Sequence, residues 1–513
     1  MQKNAVNQAR CSFNRTLPVE VVTSIFRTCI QHAIDTSDRV EEGLPPIPSQ
    51  SGTMSVPLKI GAVCALWRRV AWSTPYLWTT ISIAFFRTSE PEYVQLLREW
   101  LNRSGTLPID ITVYTGVASS TAPAQPLIQM LAASCKRWHS ACLRLPLTLL
   151  RNIFAVAQHL PTIDSLEVVS SQMPSDEEDR PFWTTHPPAP KSIRMVALTT
   201  KQLNVRWEVL THANLAEYST ERCLEFLRCA PMLESCHFYS VVETVDTTGQ
   251  LESAPILVHH NIRQFGYNIN TYNKTTSLLA YVSMPKLVYF RYRAISITEV
   301  GIPDFLDRSQ CRLTHLDIDT LASSFVPIFQ ILTCNAAASI THLIFQTGAT
   351  SGGWDMPGNF LAHLADASML KFEDKDGKPV QLSMVPRLEV IKYNYTSSAP
   401  FPWKYVPDIF KEARAPNTEP TLVEGTEGDH PTRRPLRQFH VLHDSPRYHA
   451  DIIKPEIFAP LMAAREAGYD IRYEDFDEDT GKMVDLFGGS LYYYNLRKAE
   501  ADMEASNTSK DNA

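Results

Sequence analysis

One six-residue pattern constrains this chain more than any other feature. It is an apolar residue, two residues of any type, a second apolar residue, one further residue, and a third apolar residue. It occurs as WHSACL from 138, IDSLEV from 163, IRMVAL from 193 and LTHANL from 210. It returns as LESCHF from 233, IRQFGY from 262, LVYFRY from 287 and LTHLDI from 313. ITHLIF from 340, LEVIKY from 388 and LRQFHV from 436 complete the series. From 233 to 340 the successive spacings are 29, 25, 26 and 27; two later gaps are 48 each and an earlier one is 17. The longer gaps have room for a missed repeat or an inserted loop. Side chains alternate across a strand, so the first, fourth and sixth positions are expected to face inward and the third and fifth outward. A unit of this size cannot bury its own apolar face and has to stack on its neighbours.

The segments ahead of several of these strands read as short helices. In ERCLEFLRCAPMLESCHF, Cys223, Leu224 and Leu227 lie at helical spacing ahead of Pro231. IPDFLDRSQCRLTHLDI and VPIFQILTCNAAASITHLIF have the same shape. Each unit is therefore expected to be a helix, a turn and a strand. The length of 513 residues, with 44% hydrophobic and 20% charged residues, exceeds one ordinary core and suits a folded chain of several parts. Several ordinary α/β domains are the alternative, against which the near-constant spacing argues.

The first eighty residues follow a different rule. In LPVEVVTSIFRTCI, Pro18 suits the first turn of a helix, and Val22, Ile25, Phe26, Cys29 and Ile30 form one apolar face. A second stripe runs through Ile60, Val63, Cys64, Trp67, Val70 and Ala71, and STP at 73–75 starts a third short turn ending at Trp78. Between them, residues 35–56 are polar, with three prolines and two glycines, and read as a flexible insert. Three short helices make a very small core, which is usually completed by a neighbour or a partner.

LPVEVVTSIF, VCALWRRVAWSTPYLW and their order resemble the F-box, in the version common in large fungal families of F-box proteins. The insert at 35–56 is longer than is usual there. The repeat series resembles an irregular, degenerate leucine-rich repeat without its consensus asparagine, and WLNRSGTLPIDITV at 100–113 resembles an element of the same proteins. The resemblance implies an α/β fold: a small N-terminal three-helix F-box followed by a leucine-rich-repeat-like solenoid. Its implied parts are a tail at 1–14, the F-box at 15–80, the array at 81–475 with a polar loop at 413–435, and a C-terminal extension and polar tail at 476–513. It implies docking on the Skp-type linker subunit of a cullin–RING ubiquitin ligase, with Leu17, Pro18, Val21, Val22, Ile25, Phe26, Val63 and Trp67 as the linker-binding residues. The array would hold an unknown protein target. A scaffold that uses the same F-box outside any ligase is the competing reading, and a helical cap that binds nothing is a third.

Outward positions on the sheet, the concave face of such an array, include five of the chain's 15 histidines: His212, His237, His315, His342 and His440. Three share the third slot, in LTHA, LTHL and ITHL. A recognition surface is expected near Tyr289, Arg291, His315, Asp317 and His342, because tyrosine and arginine anchor interfaces most often; a well-tolerated Thr-His strand sequence explains the histidines equally well.

No catalytic residues, cofactor or metal are expected. There is no phosphate-cradling glycine loop, no G-x-S-x-G elbow and no H-E-x-x-H. DFDEDTGKMVDLF from 475 mimics a calcium loop, but its twelfth position is Leu486; a solvated acidic turn is the better reading. FEDKDGKPV at 372–380 reads as a hairpin around Asp376-Gly377, and SDEEDR at 175–180 as a surface loop. The ten cysteines contain no CxxC pair, and Cys223, Cys229 and Cys236 are expected in the core. The net charge of −7 gives no nucleic-acid footprint. Neither a secretory leader nor a membrane span is expected, and the cytoplasm or nucleus is the expected location.

Overall fold

The computed structural model describes residues 17–37, 54–84, 91–115, 125–157, 163–170, 180–183, 187–241, 255–269, 277–294, 301–320, 325–348, 356–366, 370–373, 379–382, 384–396, 401–411, 434–443, 453–477, 482–496 and 499. Most of the insert, residues 175–179 of the acidic run, most of the 413–435 loop and nearly all of the tail lie outside these. The fold is α/β, and the chain divides into two compact units: Met1–Tyr218 with Cys229–Leu233, and Ser219–Arg228 with Glu234–Ala513.

The first unit opens with helices α1 (Val19–Ser37), α2 (Ser55–Val63) and α3 (Ala65–Trp72) and a 3-10 turn at Pro75–Trp78. The two ends of the presumed insert, up to Ser37 and from Ser55, are thus helical. The stripe from Ile60 to Ala71, read as one helix, is two. Cys64 between them is extended, at φ −159° and ψ 170°, and its Sγ accepts the Trp67 N–H at 3.4 Å. A weak sulfur cap takes the place of one intrahelical bond, so the apolar spacing alone did not reveal the break.

Six strands follow: β1 (Thr80–Ala84), β2 (Ile109–Tyr114), β3 (Trp138–Leu145), β4 (Ser165–Ser170), β5 (Ser192–Val196) and β6 (His212–Ala216). Each pairs in parallel with the next. Parallel neighbours need a crossover. Helices α4 (Pro91–Arg103), α5 (Gln125–Ala133) and α6 (Leu147–Val156) supply the first three. Before β6 there is only a 3-10 turn, Trp207–Val209, so a helix in every unit was too much to expect. The strands β1 and β2 were absent from the pattern series but join the same sheet.

IRMVAL from 193 was out of frame by three. Ile193 pairs with Leu166 and Ala213, which are fourth-position residues, so the slot sequence is Pro190, Ile193, Met195. All three are buried. The wrong frame looked sound because Val196, the last residue of β5, and Leu198, just past it, are buried too; Ala197 between them takes a left-handed φ of 54°.

The second unit begins with α7 (Thr220–Cys229), of which residues 220–228 belong to it. Its main strands are β7 (Ser235–Val241), β9 (Gln264–Ile269), β11 (Tyr289–Ala294), β12 (His315–Thr320), β13 (His342–Gly348), β16 (Val390–Thr396), β17 (Gln438–His443), β18 (Asp470–Asp477) and β19 (Lys482–Asp485). They pair in that order, while the short β8 (Leu257–Val258) and β10 (Val282–Ser283) pair separately with each other. From β9 to β18 the register never slips: Gln264, Tyr289, His315, His342, Val390, Gln438 and Asp470 stand side by side. The predicted inward slots are interior throughout. Phe265, Tyr267, Phe290, Tyr292, Leu316, Ile318, Leu343, Phe345, Ile391, Tyr393, Phe439 and Val441 are at most 1% exposed. The rings of Phe265 and Phe290 stack at 6.0 Å and 9°. Each buried phenylalanine contributes roughly 1.5–3 kcal/mol of hydrophobic transfer free energy.

Helices α8 (Ile302–Ser309), α9 (Val326–Thr333), α10 (Met356–Ala365), α11 (Val406–Lys411) and α12 (Pro455–Glu466) connect these strands. The 48-residue gaps are insertions, not missed repeats, since β13 pairs directly with β16 and β16 with β17. The first gap holds α10 and the separate antiparallel hairpin of β14 (Leu370–Glu373) and β15 (Pro379–Leu382), at the predicted hairpin. The would-be calcium segment is a second hairpin: β18 turns into antiparallel β19, with Asp477 opposite Lys482, and a helix follows at 486–496. Arg308 and Arg434 satisfy backbone carbonyls of neighbouring segments, Arg308 those of Leu279 and Val282. Arg434 Nη1 reaches Leu364 O at 2.6 Å while Nε and Nη2 reach Met384 O at 3.2 and 3.0 Å.

Candidate functional site

Two surfaces gather the residues singled out in the sequence. The first is helical. Val22, Phe26 and Ile30 of α1 face the interior of the first unit, where the Phe26 ring meets Trp67 edge-on at 5.1 Å. Trp78 closes the bundle by donating from Nε1 to Ala71 O at 2.9 Å and packing on Trp100 at 4.7 Å. Val22 and Phe26 were expected to touch a partner; at 5% and 1% exposure they are core residues instead. On a two-sided helix, periodicity names the apolar face and does not say whether the chain's own helices cover it.

The remaining predicted positions are reachable. Pro18, Val21 and Val63 are exposed, and Leu17, Ile25 and Trp67 are half-buried. Around them Val19, Leu58, Leu66, Trp72 and Tyr76 are also exposed. With Val21 and Val63 these make seven of the twenty exposed large hydrophobics found among the described residues, within positions 19–76. Concentrated exposed apolar surface marks an interaction site more often than scattered residues do. Trp72 is flanked by the guanidinium groups of Arg68 and Arg103, at 5.3 and 5.0 Å from its ring centre, and Arg27 lies over Tyr76 at 5.1 Å.

The second surface is the outward face of β11–β13. All five predicted residues meet there. The Tyr289 hydroxyl donates to Asp317 Oδ2 at 3.1 Å, and Arg291 Nε lies 3.4 Å from the same oxygen. Tyr289 and His315 rings are 6.2 Å apart, and His315 stacks on His342 at 4.2 Å and 13°. Asp317 is only 6% exposed, so it supports Tyr289 and Arg291 from beneath and is not itself a contact. Arg293 and Asp319 repeat the pairing one step along, at 2.9 Å. Burial holds the His315 imidazole below its ordinary protonation range; burial and then the neighbouring His315 do the same to His342. On the row beside Arg291, Gly266 is covered by His237: a β-carbon there would sit 2.4 Å from His237 Nδ1.

Sequence reasoning missed the threonines preceding the histidines. Thr314 Oγ1 lies 2.8 Å from His315 Nδ1, and Thr341 Oγ1 2.9 Å from His342 Nδ1. The shared Thr-His spelling was the available signal.

Cys142, Cys223 and Cys236 are held as thiols. Burial raises the Cys223 and Cys236 thiols far out of the thiolate range, and Cys142 is pushed up to about 12 by burial and then by Glu167. Cys229, expected in the core, is exposed. Among the described residues no group of three or more His, Cys, Asp or Glu could hold a metal ion, and no helix is long and apolar enough to cross a membrane. No protein-family model matches the chain, and no curated protein matches it in sequence.

Proposed function

We propose that the chain is a substrate-receptor subunit of a cullin–RING ubiquitin ligase. Residues 17–78 act as an F-box that docks on the Skp-type linker, and the later repeats act as a degenerate leucine-rich-repeat array that holds a protein target. The observation that carries this reading is the coincidence of the F-box-like blocks with exposed apolar residues: Pro18, Val21 and Val63 belong to those blocks and remain uncovered by the chain's own helices. The outward cluster of Tyr289, Arg291, His315 and His342 is the target-binding candidate, with aromatic and arginine side chains held in place by Asp317. The chain supplies binding and positions a target; the chemistry of ubiquitin transfer belongs to its partners.

Co-purification tests the reading. The full chain, expressed with tagged linker and cullin, should bring down both. Linker without cullin would favour a scaffold outside a ligase, and absence of the linker would refute the docking. Tyr289→Ala with Arg291→Ala should lose the target and keep the linker.

A further inference from the structure

Three Thr-His steps occupy the same slot of three strands: Thr211-His212 at β6, Thr314-His315 at β12 and Thr341-His342 at β13. In each, the Thr and His amides donate to one carbonyl on the residue just ahead of the preceding strand, Lys191 O, Val288 O and Thr314 O respectively, at 2.9–3.0 Å. The threonine hydroxyl lies 3.0, 3.3 and 3.2 Å from that same carbonyl. It also lies 2.8, 2.8 and 2.9 Å from Nδ1 of the following histidine. A carbonyl only accepts, so in the contact with it the hydroxyl is the donor, beside the two amides. With its hydrogen on the carbonyl, the hydroxyl oxygen presents a lone pair to Nδ1, and Nδ1 carries the hydrogen of that contact. A neutral imidazole protonated at Nδ1 has a bare lone pair at Nε2.

We propose that Thr211, Thr314 and Thr341 are positioning residues that fix these histidines as Nδ1–H tautomers, and that His315 and His342 thereby form a hydrogen-bond acceptor site for an uncharged donor on the target, such as an amide or a hydroxyl. The ligand half of this rests on the target-binding reading above; the tautomer half does not. The donor is uncharged for two reasons. At His342 burial and then His315 disfavour positive charge; Glu389 opposes them, and Arg437 and Lys392 act with them. Arg291 and Arg293, the groups a phosphate would need, are already paired with Asp317 and Asp319. The stacked rings favour neutrality as well, since two imidazolium ions 4.2 Å apart would repel.

Nitrogen-15 NMR of the full chain, labelled at histidine and assigned with His315→Gln and His342→Gln, tests both halves. At pH 7.5 the two residues should show a pyrrole-type Nδ1 and a pyridine-type Nε2. Thr314→Val and Thr341→Val keep the branched shape and remove the hydroxyl; each should shift its histidine toward the Nε2–H form, with the thermal melt as the check on folding. Nε2–H as the main form in the parent chain, or no change in folded valine variants, would overturn the assignment. For the ligand, N-methylacetamide, methylguanidinium and inorganic phosphate are titrated against the same resonances. Movement of Nε2 with the amide alone supports the class; movement with either ion alone, or with none, overturns it. The tautomer result stands or falls on the isolated chain, whereas failure of the receptor reading shows in linker capture.

Discussion

Placing carboxylates on the exposed part of the helical surface, through Val21→Asp with Val63→Asp, separates docking from folding. Val21 is 41% exposed and Val63 59%. Covering a whole valine side chain stabilises by roughly 2 kcal/mol, so the two exposed fractions together represent about 2 kcal/mol of binding. A carboxylate closed into the interface without a partner adds at least about 2 kcal/mol of desolvation cost. The total of about 4 kcal/mol corresponds to a Kd weaker by close to a thousandfold, at about 1.4 kcal/mol per tenfold. Stability should change by less than about 1 kcal/mol, because both side chains are on the surface. Titration calorimetry with purified linker gives the first quantity and urea unfolding the second. If the double variant unfolds like the parent and binds within tenfold of it, the exposed face is not the docking surface.

Phe290→Ala removes a fully buried ring that stacks on Phe265 and lies 5.6 Å from Phe305; urea unfolding should show a loss of about 3–5 kcal/mol. Arg434→Gln abandons the carbonyls of Leu364 and Met384 and should cost about 1.5–3 kcal/mol in the same assay. The folded chain holds protons at His315 and His342 less tightly than the unfolded chain, whose imidazoles titrate near 6.5. The stability tied to their neutral form is therefore fully present above about pH 6.5 and declines as the pH falls below it. Replacing both with glutamine should make the fall in urea midpoint between pH 7.5 and 5.5 smaller than in the parent.

The repeat strands were legible because one apolar slot recurs and because tight packing leaves little choice of face. Leu313, Leu316 and Ile318 could be placed inside from spelling alone, and all three are. The misframed strand shows the limit: Pro190 fills an inward slot that reads as a turn, while burial of Val196 at the strand's last position and of Leu198 beyond it imitates the pattern. The helical surface was half legible. Motif blocks located it, but the division of α1 into covered Val22 and Phe26 and uncovered Val21 depends on how α1 and α3 pack, which no local spacing encodes. The hydroxyl–imidazole contacts were invisible for a related reason. Thr314 and His315 are neighbours in sequence, yet their bond gains direction only from the Val288 carbonyl at the start of the neighbouring repeat.

The slip-free register of the second unit makes its outward face a ruler. Gln264, Tyr289, His315, His342, Val390, Gln438 and Asp470 are marks one strand apart, at about 4.8 Å each. An α-helix laid across the strands advances about 5.4 Å per turn, so it drifts by only about 0.6 Å per mark. An extended chain presents alternate side chains about 6.8 Å apart and loses step by about 2 Å at every strand. A helix can thus stay in phase with Tyr289, His315 and His342 together, while an extended chain crossing the strands matches one of them at a time.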